Sequence, residues 1–347
     1  MLTKSDNDGQ NTVVSQSNAH KLRWWHWVVL VLLIVGTIYI ARQEHGGDVQ
    51  FRECEGQVFA TSYHIKYQSS QDLHSGILNV LQEVDQSLSP FNKTSVISAV
   101  NNNQNPQLNK MFSEVFVIAQ RVNAETSGAF DITVAPLVNA WGFGFKRGDT
   151  NINVDSLLTH VGMDKVRLED NHIIKSDSAV MLDCSAIAKG YGVDAVGKYL
   201  EAKGVEHYMV EIGGEVRLKG LNDNKGKWRI GVNKPSLDSL QTNSEIQDVL
   251  ELTDVSMATS GNYRNFYRRG GKIFAHTIDP RTGYPVQHNI LSATVIATDC
   301  VVADAYATAF MVLGLDEAKE VLKRHKELKA YLICGDADGK YFVYSNL

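Results

Sequence analysis

Residues 276–285, His-Thr-Ile-Asp-Pro-Arg-Thr-Gly-Tyr-Pro, form the segment whose side chains are best suited to chemistry. His276, Asp279 and Arg281 can handle protons or phosphate, and they surround a turn signal. The proline after Asp279 favours an extended backbone at that residue, and Gly283 can adopt a positive φ. Such a constrained loop holds its polar groups in fixed directions, as an active site requires. An ordinary polar β-turn with a nearby histidine is the alternative.

A second candidate group lies in Ala303-Asp-Ala-Tyr-Ala-Thr308, where a helix is predicted. Asp304 and Thr308 are four residues apart, so their oxygens lie on one helix face. Hard oxygen ligands with few protein contacts suit Mg²⁺, which keeps waters and binds ligand phosphates. A threonine hydroxyl that bonds back to its own helix explains the pattern equally well.

Three further segments are dense in small, polar and turn-forming residues. Segment 126–144 contains glycines that let a ligand approach the backbone, with aromatic rings that could stack on a planar ligand or pack in the core, namely Phe130, Trp141 and Phe143. Segment 182–191 places an acid before a predicted helix start, where free N–H groups suit an anion. Its Lys189 could contact a phosphate or be solvated. Segment 258–264 could cradle a phosphate or form a polar turn.

The elements that must position these segments are hairpins mixed with helices. Hydrophobic periodicity predicts strands at 58–67, 208–218, 227–232, 291–297, 329–334 and 340–344. It predicts helices at 71–88, 111–126, 188–203, 301–313 and 315–326. A surface loop is expected at 234–247 and a hairpin connection at 335–339. Because βαβ alternation is irregular, the sequence indicates an α+β fold with antiparallel or mixed sheets and flanking helices.

Composition excludes some classes of protein. The 347 residues carry 34 basic and 39 acidic side chains, a net charge of −5, which argues against a general nucleic-acid binder. The four cysteines form no CxxC pair, so a zinc site is not indicated. Their spacing leaves disulfide pairing open.

The N-terminal region departs from ordinary composition. Residues 1–23 are expected to be a polar cytoplasmic tail, 24–41 a transmembrane anchor with interfacial tryptophans, 42–55 a linker, and 56–347 one catalytic domain. The basic residues Lys21 and Arg23 favour a cytoplasmic N-terminus. A cleaved signal peptide is the competing interpretation, but no Ala-x-Ala site follows the apolar run.

Taken in order, these motifs resemble the ApbE family of FAD:protein FMN transferases over about residues 56–345. The resemblance rests on six ordered segments: Ser127-Gly-Ala-Phe-Asp-Ile-Thr with Trp141-Gly-Phe-Gly, Leu182-Asp through Ala188-Lys-Gly, Ile212-Gly-Gly-Glu215, Ala258-Thr-Ser-Gly, His276 through Gly283, and Ala303-Asp-Ala-x-Ala-Thr308. The sequence differs from the family at Phe59-Ala60-Thr61, where Met-Gly-Thr is typical, and at Cys184-Ser185, where glycines are frequent.

The resemblance implies cleavage of FAD at its pyrophosphate, attachment of FMN through its phosphate to a Thr or Ser of a partner protein, and release of AMP. It implies a Mg²⁺ site made of Asp304, Thr308 and the carbonyl of Ala186. The FAD contacts it implies are Phe59, Phe91, Ala129, Phe130, Asp131, Asp183, Lys189 and Ile278. His276 is the candidate base for the acceptor hydroxyl, because its ordinary pKa of about 6.5 suits that role. Asp279 is expected to orient His276 or to act in its place.

The resemblance also implies partners and a compartment. The expected acceptors are flavoprotein subunits of membrane redox pumps of the Na⁺-translocating NADH:quinone reductase or Rnf type. The catalytic domain is expected on the periplasmic side of a bacterial inner membrane. Two alternatives remain: a Mg²⁺-dependent FAD pyrophosphatase that uses the same metal site and releases FMN and AMP, and a non-catalytic, membrane-tethered FAD-binding protein that would tolerate loss of Asp304.

Overall fold

The structure is a computed structural model that describes residues 24–44, 49–146, 148, 152–234, 246–261, 266–269, 272–335 and 340–347. The chain divides into two compact units, Met1–Val49 and Gln50–Leu347. Within the predicted loop 234–247, residues 235–245 lie outside the described part, as do 336–339 of the predicted hairpin connection and 262–265 of the segment 258–264.

The first unit contains one described helix, α1 (Trp24–Glu44). It covers the segment predicted as a transmembrane anchor, 24–41. Across the part of the chain that the structure describes, however, no helix is long and apolar enough to span a membrane. The predicted cytoplasmic tail, 1–23, lies outside the described residues.

The helices of the second unit are α2 (His74–Leu88), α3 (Val96–Asn101), α4 (Lys110–Glu125), α5 (Ala135–Ala140), α6 (Val154–Leu158), α7 (Ala188–Ala202) and α8 (Cys300–Arg324). Capping side chains explain where several of these helices begin. The side chains of Ser95, Asn109 and Asn153 accept the N-terminal N–H bonds of α3, α4 and α6. Gly314, at φ 76° and ψ 174°, interrupts α8, which confirms the predicted division between 301–313 and 315–326.

The strands are β1 (Phe51–Val58), β2 (Thr61–Gln68), β3 (Val166–Glu169), β4 (His172–Lys175), β5 (Tyr208–Ile212), β6 (Glu215–Lys219), β7 (Trp228–Asn233), β8 (Ile246–Leu252), β9 (Ser256–Gly261), β10 (Phe266–Arg269), β11 (Lys272–Ala275), β12 (Ile290–Ala297), β13 (Lys329–Gly335) and β14 (Tyr341–Ser345). One sheet has the order β1-β2-β5-β6-β9-β12-β13-β14, and each pairing in it is antiparallel. Separate antiparallel pairs are β3–β4, β7–β8 and β10–β11. The mixed helix and sheet architecture agrees with the predicted α+β class.

Turns shorten one predicted strand and divide another. Most of the predicted strand 58–67 is β2, but its start lies in a two-residue turn at Phe59 and Ala60, whose φ angles are 50° and 58°. Both angles are positive, as in a type I′ hairpin turn, but the turn lacks the Asn or Gly that usually signals it. The predicted strand 208–218 is two strands joined at Gly213-Gly214. Moreover, β1 begins at Phe51, inside the segment predicted as a linker, because residues 51–58 pair with β2.

Helices α7 and α8 form the layer that positions the candidate site. Helix α8 packs on β9 and β12, α7 packs on β5 and β6, and the two helices contact each other. The main hydrophobic core lies between α8 and the sheet and extends to α4. All four cysteines are free thiols buried in the cores, and burial raises the pKa of Cys54 and Cys334 to about 11.

Candidate functional site

The segment 276–285 is a tight hairpin, as its turn residues predict. The N–H of Asp279 donates to the Tyr284 carbonyl at 2.9 Å, and the N–H of Gly283 donates to the Asp279 carbonyl at 2.8 Å. Gly283 has φ 79°, and a Cβ there would lie 2.4 Å from Val154 Cγ1. This position therefore requires glycine for both its backbone angle and its close packing.

Arg281 holds the carboxylate of Asp279 in a two-point contact. Arg281 Nε donates to Asp279 Oδ1 at 3.0 Å, and Nη2 donates to Oδ2 at 2.9 Å. The backbone N–H of Arg281 also donates to Oδ1 at 2.9 Å, and Nη1 reaches Glu317 at 3.3 Å. The hydrogen bonds that Arg281 donates to Asp279 raise the pKa of Arg281. Because both oxygens of Asp279 are engaged, its geometry favours holding the loop over accepting a proton.

His276 is half-buried at the start of this hairpin, with the ring of Phe143 edge-on at 6.4 Å between centroids. Trp141 donates from Nε1 to the Gly283 carbonyl at 2.9 Å, and its ring lies 6.0 Å from that of Tyr284. The Trp141-Gly-Phe143 segment thus packs against the hairpin. The structure brings two motifs together that lie more than a hundred residues apart in the sequence.

Asp304 lies where α7 and α8 begin. Its side chain is 3% exposed, and Oδ2 accepts the N–H of Gly190 at 2.9 Å. A Cβ on Gly190 would lie 2.5 Å from the Cys300 carbonyl oxygen and 2.8 Å from Asp304 Cβ, so the two helices touch through backbone at this point. Burial raises the pKa of Asp304, while Lys189 and the Gly190 N–H oppose that rise.

Lys189 and Glu215 form a second charged contact at the same junction. Lys189 Nζ lies 2.6 Å from Glu215 Oε2; the glutamate side chain is 1% exposed and the lysine side chain 30%. Burial, together with the charge of Asp304, raises the pKa of Glu215 to about 8 against the opposing charge of Lys189. Glu215 and Asp304 raise the pKa of Lys189 and outweigh burial, which lowers it. Two buried carboxylates therefore share one ammonium.

Thr308, one helical turn beyond Asp304, lies against strand β9. Its hydroxyl is 3.1 Å from that of Ser260. This contact connects α8 to the Ala258-Thr-Ser-Gly motif. The sequence did not predict that these two motifs meet. The third expected ligand, the carbonyl of Ala186, lies two residues before α7, next to the turn where Ile187 and Ala188 donate to the Cys184 carbonyl at 3.0 and 2.8 Å.

The donor set of this junction fits a hard divalent cation. Within the described ranges, no three or more His, Cys, Asp or Glu residues are grouped to hold a metal ion. The expected site does not need such a group, because it combines one carboxylate, one hydroxyl and one carbonyl, and Mg²⁺ keeps several waters. Burial raises the pKa of both Glu215 and Asp304, so a divalent cation would favour the ionised forms of these carboxyls and balance their charge.

Asp131 and Asp183 lie together and cap short turns. Asp131 Oδ1 accepts the N–H of Thr133 at 2.7 Å, and Asp183 Oδ1 accepts the N–H of Ser185 at 2.8 Å. The Asp183 N–H donates to the Ile132 carbonyl at 2.7 Å, which joins the two segments. Burial raises the pKa of both carboxyls, and their local hydrogen bonds lower it.

The apolar residues expected to contact FAD differ in how far they are exposed to solvent. Phe91 is 63% exposed and meets Phe145 edge-on at 6.2 Å, so its ring is open to a ligand. Phe59 occupies the β1–β2 turn, and a Cβ on Gly192 would lie 3.0 Å from its ring. The side chains of Ala129, Phe130 and Ile278 are at most 5% exposed. Phe130 packs in the main hydrophobic core, in line with the core-packing alternative.

Sequence reasoning assigned no role to Glu215 or Gly190, although both stood within motifs. An acid directly after Gly-Gly, followed by the apolar alternation of β6, is the signal that could have indicated a buried carboxylate at 215. For Gly190, the neighbouring sequence does not show whether the glycine allows close contact with another helix or simply begins α7.

Comparison with known proteins agrees with this arrangement. Residues 59–332 match the model of the ApbE family. An FAD:protein FMN transferase of Haemophilus influenzae is 39% identical over 305 residues, covering 82% of this chain and 86% of its own. One from Vibrio cholerae is 35% identical over 332 residues, with 90% and 95% covered. The solved flavin transferase ApbE from Vibrio cholerae superposes with a TM-score of 0.76 at 34% identity, covering 85% of this chain and 97% of that structure. This chain belongs to the ApbE family.

Proposed function

We propose that this protein is an FAD:protein FMN transferase. The oxygen of an acceptor Thr or Ser forms a bond to the FMN phosphorus of FAD, the bond from that phosphorus to the bridging oxygen breaks, and AMP leaves. The observation that carries the proposal is the junction of α7 and α8, where Asp304, Lys189 and Glu215 place charge suited to a pyrophosphate and its cation. Relatives named for this activity support it.

Asp304, the Thr308 hydroxyl and the Ala186 carbonyl would hold Mg²⁺ at this junction. When bound, the ion would neutralise charge on the phosphates. Lys189 is the second residue of α7, and its charge and that of Asp304 are close enough for each to affect the pKa of the other. The ammonium would bind the pyrophosphate as a point charge. Phe91, with its exposed ring, is suited to stack on a planar group of FAD.

His276 would accept the proton of the acceptor hydroxyl, as a histidine can near neutral pH. Asp279 and Arg281 would hold the loop that carries it, because their two-point contact lies within the turn of the hairpin. The remaining expected contacts, through Phe59, Ala129, Phe130, Asp131, Asp183 and Ile278, would line the FAD site with backbone and small polar groups.

For partners, the proposal extends to flavoprotein subunits of membrane redox pumps, of the Na⁺-translocating NADH:quinone reductase or Rnf type, as acceptors. The catalytic unit is proposed to act on the periplasmic side of the inner membrane. Support for the compartment comes from the sequence, in which the apolar run at 24–40 follows Lys21 and Arg23. Protease added outside spheroplasts should digest the catalytic unit; protection until lysis would overturn the assignment.

The test of the activity uses the full chain with FAD, Mg²⁺ and a candidate acceptor subunit. AMP release and the intact mass of the acceptor are followed together. A mass gain of one FMN with equimolar AMP supports the transferase. AMP with free FMN, and unmodified acceptors across a panel of such subunits, would instead indicate a pyrophosphatase, and FAD binding without AMP would indicate a non-catalytic protein.

Two variants assign the residues in this assay. Asp304→Asn should reduce Mg²⁺-dependent AMP release by about a hundredfold or more, the order of loss expected when a charged group that stabilises a transition state is removed. His276→Asn should slow transfer much more than it weakens FAD binding. If FAD affinity falls and turnover survives, His276 is a ligand contact and another group is the base.

A further inference from the structure

Helices α7 and α8 cap each other. Asp304 of α8 accepts the N–H of Gly190 in the first turn of α7. In return, Asp194 of α7 accepts the N–H groups of Cys300 (3.0 Å) and Val301 (2.9 Å) in the first turn of α8. These N–H groups have no partner within a helix, so each carboxylate satisfies donors that would otherwise be buried and unpaired.

Asp194 replaces an ordinary local cap. Asp299 occupies the N-cap position of α8, but its side chain makes no capping hydrogen bond. The cap comes instead from Asp194, 106 residues away, whose side chain is 2% exposed. A carboxylate at a helix N-terminus also interacts favourably with the helix dipole. The direction in which α8 leaves β12 is therefore set by a side chain of α7.

Arg217 of β6 holds Asp194 in place. Its Nη1 donates to Asp194 Oδ1 at 2.7 Å and also reaches Asp299 at 3.3 Å, and its Nε donates to the Tyr208 hydroxyl at 3.0 Å. Arg217 is two residues from Glu215, so both side chains leave β6 on one face. One strand thus supplies the partner of Lys189 and the partner of Asp194.

Asp304 lies one turn after the capped N-terminus of α8. Cys300 and Asp304 are four residues apart on one face of the helix, and the N–H of Ala303 closes the turn onto the Asp299 carbonyl at 3.1 Å. The cap at Cys300 and Val301 fixes the turn that precedes Asp304, and the Gly190 contact leaves no free space in which α8 could shift at this point.

We propose that Asp194 and Arg217 are positioning residues for the divalent cation, which act by fixing the first turn of α8 and with it the oxygen that Asp304 presents. This inference rests on the proposed function, in which Asp304 binds Mg²⁺. Neither residue touches the ion or FAD. Their effect is on the affinity for the cation, and the chemical step at saturating cation is largely preserved.

The test measures Mn²⁺ binding to the full chain with FAD present, from the EPR signal of free Mn²⁺, beside the Mg²⁺ dependence of AMP release. Asp194→Asn removes one acceptor oxygen and places an amide against a backbone N–H, and should weaken Mn²⁺ binding at least tenfold. AMP release at saturating Mg²⁺ should stay within about threefold of the parent, and metal-free FAD binding should be unchanged. Arg217→Lys keeps the charge but loses the fork geometry, and should weaken Mn²⁺ binding by a smaller factor.

Glu201→Gln is the matched control, because Glu201 contacts Arg217 (3.4 Å) and Tyr208 in the same cluster without reaching α8. It should leave Mn²⁺ affinity unchanged. A merely structural role for Asp194 would lower the folded fraction and leave the affinity of the folded molecules unaltered, which would overturn the inference. If Asp194→Asn does not fold, the Mn²⁺ affinity of folded Arg217→Lys decides the question: a weakened affinity supports the inference, and an unaltered affinity overturns it. Should Asp304→Asn itself retain Mn²⁺, the proposed metal site fails, and the inference with it.

Discussion

Lys189 Nζ lies 2.6 Å from Glu215 Oε2, at a point where the glutamate is almost completely buried. The pair joins the start of α7 to the start of β6, and the buried carboxylate of Asp304 is close enough to raise the pKa of both partners. A lysine held in this way is fixed in direction before any phosphate arrives, so ligand binding need not order its long side chain.

Above its raised pKa of about 8, Glu215 is ionised, and Glu215→Gln should then destabilise the protein by about 3 kcal/mol, because it leaves the Lys189 charge without its carboxylate. Lys189→Met should also destabilise it, and the double variant should lose less than the sum of the two. Urea unfolding of the parent, the single variants and the double variant measures the coupling. Additive losses within about 0.5 kcal/mol would show that the two charges do not interact.

Gly190→Ala should separate α7 from α8. The added Cβ would meet the Cys300 carbonyl oxygen and Asp304 Cβ, neither of which is the end of a flexible side chain. Overpacking of this kind costs about 1–3 kcal/mol. Thermal unfolding reports the loss, and Mg²⁺-dependent AMP release should fall with it. Gly226→Ala is the control, since its Cβ would meet nothing closer than Asn222 at 3.8 Å; equal effects at both positions would contradict the packing argument.

Arg281→Lys should slow FMN transfer about tenfold or more while FAD affinity changes little. Lysine cannot make the two-point contact that holds Asp279, so the hairpin carrying His276 loses its fixed shape. Stopped-flow transfer rates and FAD fluorescence titrations separate the two quantities. Arg167→Lys, which alters an exposed contact with Glu169, serves as control. A parent-like transfer rate would exclude the loop as a determinant of catalysis.

His288 should make the protein less stable as the pH falls below about 6.5. Burial lowers its pKa, although the Val312 carbonyl at 3.1 Å and the charges of Asp279 and Glu317 oppose that shift. The unfolded chain therefore takes up the proton first as the pH falls, and stability is lost from the unfolded pKa down to the folded one, by at most about 1.4 kcal/mol per pH unit.

His288→Gln keeps a donor for Val312 and removes the titration, so its unfolding free energy should change less between pH 7 and pH 5. Urea unfolding at several pH values measures this difference. His64→Gln, at a side chain that is 42% exposed, should follow the parent. An unaltered pH slope in His288→Gln would show that other groups control acid stability.

Local features of the site were predictable from the sequence. The hairpin at 276–285 follows from Asp-Pro and Thr-Gly, and Gly283 adopts the positive φ that its position predicts. Helix α7 begins at Ala188 and α8 breaks at Gly314, both at the predicted residues. The two-residue turn at Phe59 and Ala60 was not predictable, because its residues carry no turn signal and the apolar alternation continues across it.

The sequence by itself determined the periodicity of the elements, the turn chemistry of the His276 loop and the set of motifs that identifies the family. The tertiary structure alone decided which polar groups meet: Gly190 with Asp304 across 114 residues, Asp194 with the start of α8, and Lys189 with Glu215. It also decided that Phe130 is buried and Phe91 exposed. The physical reason is that turns and amphipathic periods depend on neighbouring residues, whereas burial and capping between helices depend on how distant elements pack.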